Sequence, residues 1–253
     1  MKTSNHLLRR LTAALLAAVL ALSIALPVFA SDDGDTIYIN SVSDLLSLAK
    51  SCAYDQWSVG KTVILQKDLS LEGMLWEPIP SFSGQFKGNG HTISDLTITG
   101  QYSPAGLFGI VEEQGSIESL SVRGIVSVSD SADTTTGGIV GINHGTLINC
   151  QFTGVVTGDS EVGGIVGRNE SEGTIDHSTA RAIVTGKSST GGIAGYNLGA
   201  ITGCTNVGSI NTEYPEASLD TDGFTAKMVD YINNKMAAAA DDATNSVTNV
   251  ATD

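Results

Sequence analysis

The segment Gly138-Ile139-Val140-Gly141 returns as Gly164-Ile165-Val166-Gly167 and again as Gly192-Ile193-Ala194-Gly195, with a divergent earlier copy in Gly106-Leu107-Phe108-Gly109. Repeats at roughly 26 to 32 residues are too short to enclose a core of their own, so each must bury its apolar face against the next. A chain built this way is a solenoid. That constrains architecture strongly and chemistry hardly at all, because a solenoid is a long surface that can react, bind or merely space.

A second pattern follows each block: Ile117-x-x-Leu120-x-Val122-x-Gly124, Leu147-x-x-Cys150-x-Phe152-x-Gly154, Ile175-x-x-Ser178-x-Ala180-x-Ala182 and Ile201-x-x-Cys204-x-Asn206-x-Gly208. One repeat earlier, Ile93-x-x-Leu96-x-Ile98-x-Gly100 fits the same frame. Alternation of apolar and polar residues is the strand period, one side chain in two pointing inward. The closing Gly or Ala suits a corner, and apolar pairs such as Ile125-Val126 and Val155-Val156 resume beyond it. Three short strands and three turns per repeat predict an all-β parallel β-helix of about five to six coils. Stacked ~4.8 Å apart, like residues align in columns. Ile93, Ile117, Leu147, Ile175 and Ile201 are expected in one interior column, and Leu96, Leu120, Cys150, Ser178 and Cys204 in the next.

These blocks, each followed by Asn143, Asn169 or Asn197 and a strand of the Gly-Thr-Leu-Ile-Asn-Cys type, resemble the GLUG motif of bacterial surface and secreted proteins. The run Phe82 to Ile93 resembles the entry segment that precedes such repeats, so the likeness covers residues 75–211. The resemblance implies a right-handed parallel β-helix within an exported protein. In some immunoglobulin-cleaving metallopeptidases the repeats stand apart from the catalytic domain, so it implies a location more than an activity.

Residues 1–30 read as a secretion signal. Lys2, Arg9 and Arg10 open it, Leu11 to Leu26 is the apolar stretch, and Val28-Phe29-Ala30 offers cleavage after Ala30. Removing three of 13 cations leaves 10 against 27 anions, a net charge of −17. That excludes the basic footprint of a nucleic-acid binder, and no later apolar stretch is long enough to span a membrane. Scattered carboxylates (Asp130, Asp133, Asp159, Glu161) could attract calcium, but they form no recognised calcium loop. The expectation is no cofactor and no metal site.

Residues 31–74 are expected to cap the first coil: a strand at Ile37 to Ile39, a helix over Ser41 to Ser51 with Ser41 or Ser43 as N-cap, and strands at Thr62 to Leu65 and Leu69 to Leu71. Residues 212–253 abandon the repeat. Phe224, Met228, Tyr231, Ile232 and Met236 fall at helical spacing, predicting a helix against the last coil, a flank or a partner, before a polar tail. The final Val250 to Asp253 resembles the lead-in to another repeat, consistent with the front of a longer protein.

For chemistry, the best constellation is Asp176 and His177 with Arg168 and Arg181, which could share a coil; cleaving a polysaccharide needs such carboxylates projecting toward one sugar. Solvated surface residues explain them as well. Gly106, Gly109, Gly138, Gly141, Gly164, Gly167, Gly192 and Gly195 read as structural, and Asn143, Asn169 and Asn197 as a stacked ladder satisfying turn backbone. Cys150 and Cys204, two coils apart, are roughly 9–10 Å apart, beyond disulfide reach, so three free thiols and no disulfide are expected. Trp57 and Trp76 suit core or rim positions, with a carbohydrate-stacking platform as the alternative. No HExxH, GxSxG or phosphate-loop signature occurs. The leading expectation is a non-catalytic secreted or cell-surface scaffold for adhesion or interaction with extracellular glycans or proteins. The alternatives are a carbohydrate-active module and an accessory region of an exported peptidase.

Overall fold

The computed structural model describes residues 35–54, 56–128 and 134–211; the expected signal (1–30), the expected helix and tail of 212–253, and Asp130 and Asp133 lie outside the described residues. Within them the chain is a parallel β-solenoid of about six turns with a single helix. β1 (Thr36–Ile39) precedes α1 (Val42–Ser51), then β2 (Thr62–Leu65), β3 (Leu69–Ser70), β4 (Ile79–Phe82) and β5 (Gln85–Lys87). There follow β6 (Thr92–Gly100), β7 (Phe108–Val111), β8 (Ser116–Glu118) and β9 (Ser121–Val128). The next coil is β10 (Thr135–Gly137), β11 (Val140–Asn143), β12 (Thr146–Ile148) and β13 (Gln151–Thr157). After it come β14 (Glu161–Gly163), β15 (Val166–Asn169), β16 (Thr174–Asp176) and β17 (Thr179–Thr185). The last is β18 (Thr190–Gly191), β19 (Ala194–Asn197), β20 (Ala200–Thr202), β21 (Thr205–Asn206) and β22 (Ser209–Ile210).

Every pairing between these strands is parallel and links one coil to the next. The first face stacks β1-β2-β5-β8-β12-β16-β20, the second β3-β6-β9-β13-β17-β21 with β22 also on β17, and the third β4-β7-β11-β15-β19. A short fourth ladder, β10-β14-β18, closes the corner ahead of the third face.

The interior column on the first face is Val63, Phe86, Ile117, Leu147, Ile175 and Ile201. This corrects the expected column at its upstream end. Ile93 lies on the second face opposite Val122, and Leu96 opposite Gly124, with an irregularity between them where Asp95 takes a φ of 60°. β6 is one long strand, so Gly100 closes no corner and pairs with Val128. Downstream the frame holds, but the corner glycines do not end strands: β9, β13 and β17 run through them, with Val155 and Val156 both buried beyond the bend. Gly154, at φ 149°, passes so close to the Gly124 carbonyl that a Cβ would collide with it.

The core tapers along the stack. Phe82, Phe86 and Phe108 pack with ring centroids 5.4 to 6.3 Å apart, beside the buried Trp76, whose Nε1 donates to the Leu107 carbonyl at 3.1 Å. Trp57 is half-buried with the Lys61 ammonium 5.3 Å from its ring centre. Later coils fill the same space with Val, Ile and Ala, fully buried through Ile175, Ala180 and Val184.

Residues 35–74 are continuous with this stack, because β1 and β2 are the first two strands of the first face and β3 opens the second. α1 starts at Ser41, whose Oγ accepts from the Asp44 amide at 3.2 Å while the Asp44 carboxylate accepts from the Asn40 amide at 2.9 Å. Its apolar face, with Leu45 and Leu48 buried, meets β1 and β4, the outermost strands of two faces.

Candidate functional site

Asp176 ends β16 on the first face, pointing outward between Ile148 and Thr202, its in-register neighbours. The next position is left-handed in four successive coils: Ser119 (φ 53°), Asn149 (53°), His177 (45°) and Gly203 (62°). His177 therefore stands at a turn whose backbone geometry recurs whether or not a histidine occupies it. Its Nδ1 is 2.9 Å from Asp176 Oδ1, and its ring lies 3.0 Å from where a Cβ on Gly203 would sit. The Asp176 carboxylate is half-buried and the imidazole largely exposed.

A carboxylate pair is what glycoside cleavage asks for, and Glu118 is the other acid of this column. Two coil spacings, about 9.6 Å, separate the two. Ile148 occupies the register between them, where an inverting mechanism would place its water. The arginines do not join: Arg168 is on β15 of the third face, and Arg181 on β17 of the second, in register with Thr153 and across from Arg123. The structure brings together Asp176 and His177 on the first face and leaves Arg168 and Arg181 on the other two.

Arg168 belongs to a different cluster, one that sequence reasoning missed. Its Nε donates to Glu161 Oε2 at 2.6 Å, its Nη2 contacts Glu161 Oε1, and its Nη1 lies 3.5 Å from Glu170 Oε1. Thr135 of the preceding coil donates to Glu161 Oε2 at 3.2 Å, and Tyr196 of the following coil lies beneath the guanidinium, its ring centre 5.1 Å away. Three coils are thereby riveted through the Glu161–Arg168 pair. The Glu161 contacts push the guanidinium pKa up from its ordinary value, holding it charged throughout. The available signal was the spacing: Glu161 and Arg168 flank the Gly164 to Gly167 block, outward on the strands either side of one corner.

The asparagines form a second internal network. Asn143 Nδ2 donates to Asn169 Oδ1 at 2.7 Å, and Asn169 Nδ2 to Asn197 Oδ1 at 2.8 Å. Each also donates to a turn carbonyl, of Gly145, Gly173 and Gly199 respectively. Amides stacked this way, buried at Asn143 and Asn169 and exposed at Asn197, satisfy both their own groups and the turn backbone. The glycine blocks answer to space: a Cβ on Gly138 would enter the Phe152 ring.

Cys150 and Cys204 share a column with Ser178 between them; its Oγ accepts from the Cys150 amide at 3.1 Å, and the Cys204 sulfur accepts from the Ser178 amide at 3.4 Å. Cys52, Cys150 and Cys204 are all free thiols. Burial pushes Cys150 up to about 12 and Cys52 up to about 11. Asp159 pairs with Lys187 at 2.7 Å, and among the described residues no His, Cys, Asp or Glu cluster could hold a metal ion. No helix among them is long and apolar enough to cross a membrane.

Residues 158–185, spanning β14 to β17, match the GLUG motif. The chain carries a GLUG motif. That stretch is one full coil of the stack, including the Glu161–Arg168 pair and Asn169. Halomucin of Haloquadratum walsbyi is 34% identical over 155 residues, covering 56% of this chain and 2% of halomucin. A protein of Evansella cellulosilytica provisionally named a Gly-rich membrane protein is 30% identical over 137 residues, covering 39% of this chain and 16% of its own length. This chain thus spans a small part of either relative. A crystal structure from Bacteroides ovatus, provisionally named an immunoglobulin A1 protease, aligns with a TM-score of 0.41 and 16% identity over 72% of this chain and 79% of that one.

Proposed function

We propose that this chain is a non-catalytic, secreted or cell-surface β-solenoid scaffold that presents a ridged acidic surface to extracellular glycans or proteins. The observation that carries the reading is how fully the polar side chains are engaged within the coil stack. Arg168 is claimed by Glu161 and Glu170, the Asn amides by one another and by turn carbonyls, and Asp176 by the histidine beside it, with Ile148 parting it from Glu118. A group already engaged by its own coil stack stabilises the scaffold and has little left for transition-state work. The apolar, positively led residues 1–30, read as a signal cleaved after Ala30, supply the export route, and the naming of one relative as a membrane protein supports a place at the cell surface. The scaffold works without a resident cofactor, and binding with and without added calcium is the control. The test pairs glycan and matrix-protein binding arrays with a reducing-end assay on polysaccharides. Saturable binding without release of reducing ends is expected; turnover abolished by Asp176→Ala would replace the scaffold with an enzyme.

A further inference from the structure

Arg123, Arg168 and Arg181 are the arginines among the described residues, and the fold treats them differently. Arg168 is held by Glu161 and Glu170, whereas Arg123 and Arg181 extend from the second face with no carboxylate in ion-pair contact among the described residues. Both are exposed, and both stand in register with Thr153, so they share one outward column two coils apart, about 9.6 Å. β9, β13 and β17 contain no Asp or Glu, although acids outnumber bases 27 to 13 in the chain. The one carboxylate on the strands of this face is Asp95 of β6, engaged by the Ser70 and Ser94 hydroxyls at 2.6 and 2.7 Å. Arg123 also acts on it, less than those hydroxyls do. A guanidinium without a partner of its own is free to hold an incoming carboxylate through two parallel N–H donors.

What lies beside the arginines narrows the ligand. Strand alternation buries Val122, Phe152 and Ala180 and turns the residues on both sides of them outward. The column next to Arg123, Thr153 and Arg181 is therefore Ser121, Gln151 and Thr179, with the Gln151 amide 3.5 Å from Thr153 Oγ1. Hydroxyl and amide groups suit sugar hydroxyls, and neither column offers the aliphatic surface that a lipid or an apolar peptide needs. The stack advances ~4.8 Å per coil, close to the length of one sugar in an extended polysaccharide. A glycan laid along it places every second sugar over an arginine and the one between over Thr153. The overall negative charge of the chain does not decide the matter, because at physiological ionic strength charges more than ~8 Å away are largely screened.

We infer that the second face binds a linear acidic polysaccharide in which a uronate alternates with an uncharged sugar, its carboxylates held by Arg123 and Arg181 and its intervening sugar by Thr153. This assignment rests on the glycan-scaffold reading and adds to it the face, the residues and the charge spacing of the ligand.

Calorimetric titration of the full chain with hyaluronan, which alternates a uronate with an N-acetylated amino sugar, tests it at an ionic strength of ~0.15 M. Binding is expected, weakened about fivefold by Arg123→Gln or Arg181→Gln alone and further by the two together. Lys50→Gln, an equal loss of charge at an exposed position of α1, should leave it unchanged. Thr153→Arg should shift preference several-fold toward polygalacturonate, which is charged on every sugar. Because both arginines are exposed, the variants should keep the wild-type thermal transition. Undiminished binding by the double variant overturns the assignment, as does equal binding of carboxyl-reduced hyaluronan or of polyglutamate, or no binding at all. Binding of another glycan regardless of both arginines would overturn the assignment and leave the scaffold reading standing. Arginine-dependent binding accompanied by release of reducing ends would uphold the assignment and overturn the non-catalytic reading.

Discussion

The two ends of the stack are built from the same coil and held to different standards. Near the start, three phenylalanines and Trp76 fill the interior and nothing large is left exposed inside it. Toward the finish, Phe108 is succeeded by Val140, Val166 and Ala194, and Phe152 by Ala180 and Asn206. The contrast teaches that hydrogen-bond register and core volume are separable. Backbone ladders continue through β20 and β21 after the side chains have ceased to pay for order, and in a one-dimensional stack each coil draws stability only from its neighbours. The late coils therefore lean on the polar rivets at Glu161–Arg168 and Asn143–Asn169–Asn197.

The sharpest way to break this comparison is a matched pair of substitutions. Ile175→Asp buries a carboxylate among four coils and should abolish cooperative unfolding at the wild-type temperature, whereas Ile201→Asp, at a half-exposed site in the same column, should leave the main transition nearly in place. Calorimetry on both decides it; similar losses would mean the last coil is as well packed as the rest. Next in size, Phe108→Ala should cost about 3–5 kcal/mol by urea denaturation, against about 1 kcal/mol for Val166→Ala in the same column if small late residues leave small cavities. Glu161→Ala should cost about 1–2 kcal/mol, since Arg168 retains Glu170 and is itself partly solvated, with hydrogen exchange rising first in β14 and β18.

The smallest effect is alkaline. The Cys150 thiol, at an ordinary value of 9.0 when unfolded, titrates near about 12 when folded. A raised folded value means the native state holds its proton more tightly, so stability is complete below pH 9 and declines toward 12. The decline should be about 1.4 kcal/mol per pH unit at most. Denaturation midpoints from pH 8 to 10.5 should fall less steeply in Cys150→Ala than in the wild type, and parallel slopes would refute the assignment.

Much of the fold was legible because glycine and aliphatic positions recur at near-constant spacing from Ile117 onward, and the columns Ile117–Leu147–Ile175–Ile201 stand where periodicity puts them. Legibility failed upstream. There Phe86, not Ile93, occupies the column, because the first coils differ in length and β6 absorbs an irregularity at Asp95 that no local pattern announces. Residues 35–74 read as a separate block for the same reason: β1 and β2 join the first face through pairing, not through a repeat. At the candidate site, adjacency in sequence delivered Asp176–His177, but grouping Arg168 and Arg181 with them ignored which of three faces each strand belongs to. The Glu161–Arg168–Tyr196 rivet depends on contacts across coils and on a shared corner, neither of which a linear pattern records.

Tapering has a mechanical meaning. A molecule anchored at its first coil and pulled from beyond Asn211 is loaded where side-chain packing is thinnest, so coils should peel in order, each freeing roughly 26 to 32 residues or about 85–115 Å of slack. The aromatic coils would be the last to yield. Such a chain is expected to lengthen in steps under tension, starting from the last coil.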